Sequence, residues 1–308
     1  MSSDDEEYDG SEGSEDDDYD ALIDDDFEFD DSAKFKLSIE EYKAEFFAKD
    51  ELNTISDLTE NQLAAIRYIV SKSREESEKA KPVILQRILG LGYADSVLDQ
   101  VATYVKDQAP LIIHLNLDLV LTPMINDTQY RNLFETGRSG GTNCTTSRTQ
   151  WENRMFNNIY DKATPNERVK YGVLNVVSDP YGIAVCAQYG DSYLLLKNVR
   201  LRTSFASGDT SADVKIASCE YYFHVLTQYS DAELKEVIDI SLGLKPYADN
   251  KVISIYKEVQ YHGNIRLDRD VEALVVAKRH TRSDPIAQNI ELFSQKHNIP
   301  LIWLCDLS

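Results

Sequence analysis

Glu258 and Gln260 stand two residues apart in the run KEVQY, and strand geometry sends both side chains to one face while Val259 and Tyr261 point to the other. A carboxylate beside an amide on the wall of a cavity can stabilise a developing cation on a sugar. A second segment, DTQYRNLFETGRSGG (127–141), crowds Arg131, Phe134, Glu135, Thr136, Arg138 and Ser139 ahead of two glycines. Glycines let backbone amides approach an anion and an arginine fork suits a pyrophosphate, so this loop has the means to hold a dinucleotide. The same composition also describes a charged surface loop. A third segment, LRTSFASGDTS (201–211), leads Thr203 and Ser204 into a hydroxyl-rich turn at Asp209 to Ser211. Such a turn is either an anion site at a helix start or plain helix capping.

Other candidates stay close to structural readings. His262, next to the Glu258 strand, serves equally well as a satisfied structural histidine or as a ligand. The five histidines are scattered and the four cysteines include no C-x-x-C pair, so neither a metal site nor a disulfide framework is expected.

The elements that must position these residues follow from periodicity. Thr59 with Gln62 makes a capping box, and Leu63, Ile66, Ile69 and Val70 then share one helical face. Residues 83–105 read as two short helices meeting at Gly90-Leu91-Gly92-Tyr93. The Leu-Gly-Tyr turn is similar to the loop of ubiquitin-associated domains and is also ordinary punctuation between helices. After Pro110 the period changes to two: LIIHLNLDLV (111–120) alternates, with His114, Asn116 and Asp118 on one face, and predicts a strand. Further strands are expected within 171–177, 182–190, 192–205, 251–263, 271–276 and 301–305. Helices are expected near 147–160 and 211–229, from the capping box Ser230-x-x-Glu233, and from Asp284-Pro285. Strand runs with helices inserted singly predict an α+β fold.

The chain carries 53 acidic against 32 basic residues in 308, but 17 of the acidic ones lie in residues 1–31, which hold no basic side chain. The other 277 residues carry 36 acidic and 32 basic groups, close to neutral. A near-neutral body lacks the clustered Lys and Arg that phosphate tracking needs, so a nucleic-acid partner is not expected. Residues 1–33 are expected to form a disordered acidic tail, either solubilising or docking a basic partner. No run reaches the roughly 18 apolar residues of a membrane span and the N-terminus is the reverse of a signal peptide, so no membrane partner and a cytoplasmic or nucleocytoplasmic location are expected. The division expected is 1–33 tail, 34–109 helical region, 110–308 catalytic domain.

At these segments the sequence resembles the ADP-ribosyltransferase-like family that includes bacterial effectors modifying ubiquitin on threonine. The resemblance is carried by LIIHLNLD, by YRNLFETGRSGG with WENRMFNNIYD and ERVKYGVLNVV, by YGDSYLLLKNVRLRTSFASGD, and by KEVQYHGNIRLDRDVEALVV, covering roughly residues 57–281. It implies a split β-sandwich with an N-terminal helical annex and NAD as co-substrate, without metal. It also implies a glycosyltransferase activity on a protein acceptor, with ubiquitin as the family analogue. Glu258 and Gln260 would form the catalytic pair, Arg131 would contact the NAD phosphates or ribose with His114 as its competitor, and Thr203 and Ser204 would shape the nicotinamide pocket. Phe134 and Thr136 fall in the same cofactor-binding loop. The order Glu258-Val259-Gln260 is the reverse of the family's usual arrangement, in which the glutamate comes second. Two other readings stand beside it: an NAD glycohydrolase that uses the same site with water as acceptor, and a catalytically silent module that binds ubiquitin or another protein through the helical annex and the acidic tail.

Overall fold

The computed structural model describes residues 57–307. The acidic segment 1–33 and residues 34–56 lie outside the described residues. Thr59 Oγ1 accepts from the Gln62 N–H and Gln62 Oε1 from the Thr59 N–H, and this reciprocal cap starts helix α1 (Glu60–Gly90). Leu63, Ile66, Ile69 and Val70 are buried on one face. α1 is a single 31-residue helix, so the first of the two short helices expected after residue 83 is its C-terminal part. The second is α2 (Val97–Thr103), extended by one π turn at Tyr104–Gln108.

The fold is mixed α and β, built on one eight-stranded sheet. Its strands are β1 (Leu111–Leu115), β3 (Lys170–Leu174), β4 (Ser192–Leu196), β5 (Thr203–Ala206), β6 (Ile216–Ser218), β7 (Lys257–Tyr261), β9 (Val271–Val276) and β10 (Leu301–Trp303). A separate ribbon pairs β2 (Gln129–Tyr130) with β8 (Ile265–Arg266). The order across the sheet is β10-β9-β4-β1-β3-β7-β5-β6, antiparallel except for the β10–β9 pair. The remaining helices are α3 (Leu117–Asn126), α4 (Leu133–Thr136), α5 (Thr145–Met155), α6 (Phe223–Leu226), α7 (Asp231–Ser241), α8 (Leu267–Asp270) and α9 (Ala287–His297).

Several expected elements are redrawn by tertiary demands. The alternation read through residue 120 stops at Leu115, because Leu117, Leu121, Met124 and Ile125 bury on the helical period of α3. Residues 184–189 form a 3₁₀ turn rather than a strand, closed by Gly190 at φ 131°. A Cβ there would lie 2.0 Å from the Leu115 carbonyl oxygen, so only glycine lets this turn close on the end of β1. The helix expected over 211–229 is replaced by β6 and the one-turn α6. β6 satisfies the outer backbone groups of β5, with Ser204 opposite Ser218, and α1 covers the new edge: Ser73 Oγ accepts from the Ser218 N–H and Ser77 Oγ from the Phe223 N–H, both at 3.1 Å. α1 therefore shares its packing with the sheet, and residues 57–109 belong to the same compact unit.

The β1–β3 ladder is the weak seam. It holds only the pairs Leu111–Leu174 and Ile112–Val173, whereas β1 pairs with β4, and β3 with β7, over five residues each. The residues that would extend the ladder, Ile113 and His114 on one side and Gly172 and Tyr171 on the other, instead line a cleft. Among the described residues no helix is long and apolar enough to cross a membrane.

Candidate functional site

Register decides what the cleft contains. Opposite β7, Val173 faces Glu258 and Tyr171 faces Gln260, while Ser204 of β5 faces Gln260 from the other side. These five share one face of the sheet, and Lys257, Val259 and Tyr261 point to the other. There Lys257 is buried in an ion pair with Glu233 of α7 at 3.2 Å and lies over the Tyr229 ring.

Glu258 is the carboxylate that reaches the cleft. Its Oε1 accepts from Thr210 Oγ1 and, at 3.0 Å, from Gln260 Nε2. Oε2 accepts no hydrogen bond from the described residues. Burial pushes its pKa up to about 7, opposed by the Thr210 hydrogen bond and the positive charge of Arg148. One oxygen is thus anchored by two donors in a residue that lines the cleft.

The opposing wall comes from α5, where Arg148 lies with its guanidinium 4.0 Å from the Tyr171 ring centroid and 5.1 Å from that of Trp151. Only 8% of Arg148 is exposed, and its Nε has no hydrogen-bond partner. Tyr189 and Tyr256 complete the wall, their hydroxyls 3.0 Å apart, and Tyr256 donates to Asp209 at 2.7 Å. Gly140 and Gly141 form the rim against Tyr189. The cavity is about 110 Å³. That is well below the ~300–1,000 Å³ of sites that enclose a drug-sized ligand, so a dinucleotide fits only with part of its length along the open rim.

The residues expected from sequence divide into three groups. Glu258, Arg131, His114 and Phe134 line the cleft. Gln260 and Ser204 lie behind Glu258, fully or almost fully buried, and hold it rather than meet a ligand. Thr136 and Thr203 are elsewhere: Thr136 Oγ1 bonds the carbonyls of Asn132 and Arg138 at the end of α4, and Thr203 Oγ1 donates to the Val199 carbonyl.

Two of the cleft residues are already engaged. Arg131 is forked onto Asp127 (2.9 Å to each oxygen) and bonds Glu135 at 2.9 Å, so its charge is neutralised within its own loop. His114 Nδ1 lies 2.9 Å from the Gly190 carbonyl and its Nε2 accepts from the Ile183 N–H, which fixes a neutral ring. Burial holds its pKa down. Phe134 stacks under Arg168 with its guanidinium 4.4 Å away.

Sequence reasoning passed over Arg148, Tyr171, Tyr189 and Tyr256, and placed Thr210 only in the turn at Asp209 to Ser211, as part of an anion site or a cap. Tyr171 was within reach of the strand argument, since it precedes Val173 by two residues. Arg148 carried no signal beyond its place in a helix. Among the described residues no group of three His, Cys, Asp or Glu side chains converges on a metal site.

Residues 110–253 match the model of a family described as a protein of unknown function, DUF3626. The matched segment takes in β1, the loop 127–141, α5, β3 and β5, hence His114, Arg131, Arg148 and Tyr171, and ends five residues before Glu258. No curated protein matches the chain.

Proposed function

We propose that this chain is an NAD-dependent mono-ADP-ribosyltransferase acting on a protein, with Glu258 as the catalytic carboxylate and a fold of the split β-sandwich type. One observation carries the reading: Glu258 lines the cleft that opens where the β1–β3 ladder ends, with one carboxylate oxygen held by two donors. The sequence resemblance implies a catalytic glutamate on this strand, here in the reverse of the family's usual order with Gln260.

The orphaned, buried Nε of Arg148 fits an anionic co-substrate. Arg148 is therefore assigned the phosphate contact in preference to Arg131, whose charge Asp127 and Glu135 already neutralise. Tyr171, Tyr189 and Tyr256 give aromatic walls for a flat ring. NAD supplies the ribose carbon and the nicotinamide leaving group. Glu258, ionised, stabilises the positive charge that grows on the sugar more than it stabilises the ground state. Thr210 and Gln260 hold the carboxylate at the required place. The acceptor is a protein hydroxyl, amide or carboxylate brought to the open rim, and ubiquitin is the first candidate by family analogy.

Nicotinamide release from NAD, measured with and without ubiquitin or another protein, tests the reading. Release that requires the acceptor, with label transferred to it, is the expected result. Release independent of acceptor identifies a glycohydrolase. No release and no NAD binding identifies a binding module.

A further inference from the structure

Glu258 is the last member of a hydrogen-bonded chain that begins 98 residues earlier, at Tyr160 in the loop after α5. The Tyr160 hydroxyl lies 2.7 Å from His262 Nδ1, and His262 Nε2 lies 3.3 Å from Ser204 Oγ. Ser204 Oγ donates to Gln260 Oε1 at 2.9 Å, and Gln260 Nε2 donates to Glu258 Oε1 at 3.0 Å. Tyr160, His262 and Gln260 are fully buried and Ser204 is 2% exposed, so no bulk solvent competes for these protons.

With Glu258 ionised and the Gln260 amide donating to it, the proton count allows one self-consistent arrangement. Ser204 has a single proton and spends it on Gln260, so it must accept from His262 Nε2–H. His262 is neutral, its pKa lowered to about 3 by burial and by Arg202 and Lys170, so Nδ1 carries no proton and accepts from Tyr160. Every donor in the chain then points the same way, toward the Glu258 carboxylate.

We propose that Tyr160 and His262 are positioning residues for Glu258: they fix the Ser204 hydroxyl on the Gln260 carbonyl and thereby keep the Gln260 NH₂ turned to the carboxylate. Without the Tyr160 hydroxyl, His262 is free to carry its proton on Nδ1. Nε2 then accepts from Ser204, the Gln260 carbonyl loses its donor, and the amide turns to present its oxygen to Glu258. A donor to the ionised form is replaced by a lone pair that repels it. The inference depends on the proposed transferase only in naming Glu258 the working carboxylate.

The groups that face Glu258 itself are Arg148 from α5, Tyr171 from β3, Asp209 and Thr210 from the loop after β5, Tyr256 ahead of β7 and Cys186 from the 3₁₀ turn. Gln260 is the one neighbour of Glu258 that belongs to the chain, so variants at its far end leave the rest of this environment in place. Phe156 supplies a control. Its ring packs edge-on against both Tyr160 and His262, at 5.3 and 5.2 Å between centroids, and has no proton to give.

The test is direct titration of Glu258 by carbon NMR in the full chain labelled at glutamate carboxyls, with the signal assigned by its loss in Glu258→Gln. In Tyr160→Phe and in Ser204→Ala the carboxylate should bind its proton about tenfold more tightly than in the wild type, the scale of one lost hydrogen bond to the charged form. Phe156→Leu should leave the titration where it is, even if the melting temperature falls. Folded Tyr160→Phe and Ser204→Ala proteins with wild-type titration overturn the proposal, and so does Phe156→Leu shifting Glu258 as far as they do. If Tyr160→Phe does not fold, Ser204→Ala alone decides. Nicotinamide release is recorded on the same samples. A wild type that releases none removes the transferase reading without touching the titration result.

Discussion

The Tyr261 hydroxyl reaches the Ile112 carbonyl oxygen at 3.4 Å, across the face of Gly172. Ile112 is the last residue of β1 in the ladder with β3. Tyr261 therefore backs the seam from one side of the sheet at the point where the cleft opens on the other.

Gly172 is what permits this crossing. A Cβ there would lie 2.5 Å from the Ile112 carbonyl oxygen and 2.7 Å from the Tyr261 ring, both closer than real contacts allow. Gly172→Ala should cost about 1–3 kcal/mol, the scale of overpacking a filled site, because both obstacles are buried and one is backbone. Chemical denaturation of the variant checks this. A wild-type midpoint would show that the seam can widen freely.

The clearest test of the chemistry is Glu258→Gln. The amide keeps the shape and can still accept from Thr210 and Gln260, while the charge is gone. If the carboxylate stabilises a cationic sugar, nicotinamide release should fall by roughly 10²-fold or more with NAD binding retained. Full activity in a protein that melts normally would remove Glu258 from the mechanism.

The same variant has an opposite effect on stability. Folding raises the Glu258 pKa from 4.5 to about 7, so the folded state holds the proton more tightly than the unfolded chain. That contribution is fully present below about pH 4.5 and is lost as pH rises through about 7. At pH 8.5 Glu258→Gln should therefore be more stable than the wild type, by about 3 kcal/mol, and the advantage should vanish near pH 4.5. Glu152, also raised to about 7 by burial, is common to both proteins and cancels in the difference. Release by the wild type should climb over the range in which its stability falls, since the proposed mechanism needs the ionised form. Melting curves at a series of pH values, run beside the rate, read both trends.

What the sequence made legible was what depends on local periodicity. The capping boxes at Thr59 and Ser230 start helices as read, and the two-residue spacing of Glu258 and Gln260 does put both on one face. What it hid depends on register and on burial. Glu258 meets the cleft while Gln260 is covered, because Gln260 lies between Tyr171 and Ser204 on neighbouring strands, and no pattern in one strand reports its neighbours. Likewise 216–218 becomes a strand because β5 has an open edge to fill. The loop 127–141 was rightly singled out as rich in charge, but nothing in its composition says that Asp127 and Glu135 turn inward onto Arg131.

That loop yields the last prediction, a contrast between two arginines. Arg131 is 36% exposed at its side chain and bound to two carboxylates, so Arg131→Ala should loosen the loop at a cost of about 0.5–1 kcal/mol, discounted for solvent screening, with NAD affinity changed little. Arg148 is buried over Tyr171 with Nε unpartnered, and lysine can neither stack there in the same way nor offer a planar fork. Arg148→Lys should weaken NAD binding by at least about tenfold while keeping the positive charge that faces Glu258. Calorimetric titration of both variants with NAD separates the two roles. If Arg131→Ala loses NAD affinity and Arg148→Lys keeps it, the phosphate contact returns to Arg131, whose ion pairs must then open when the co-substrate arrives.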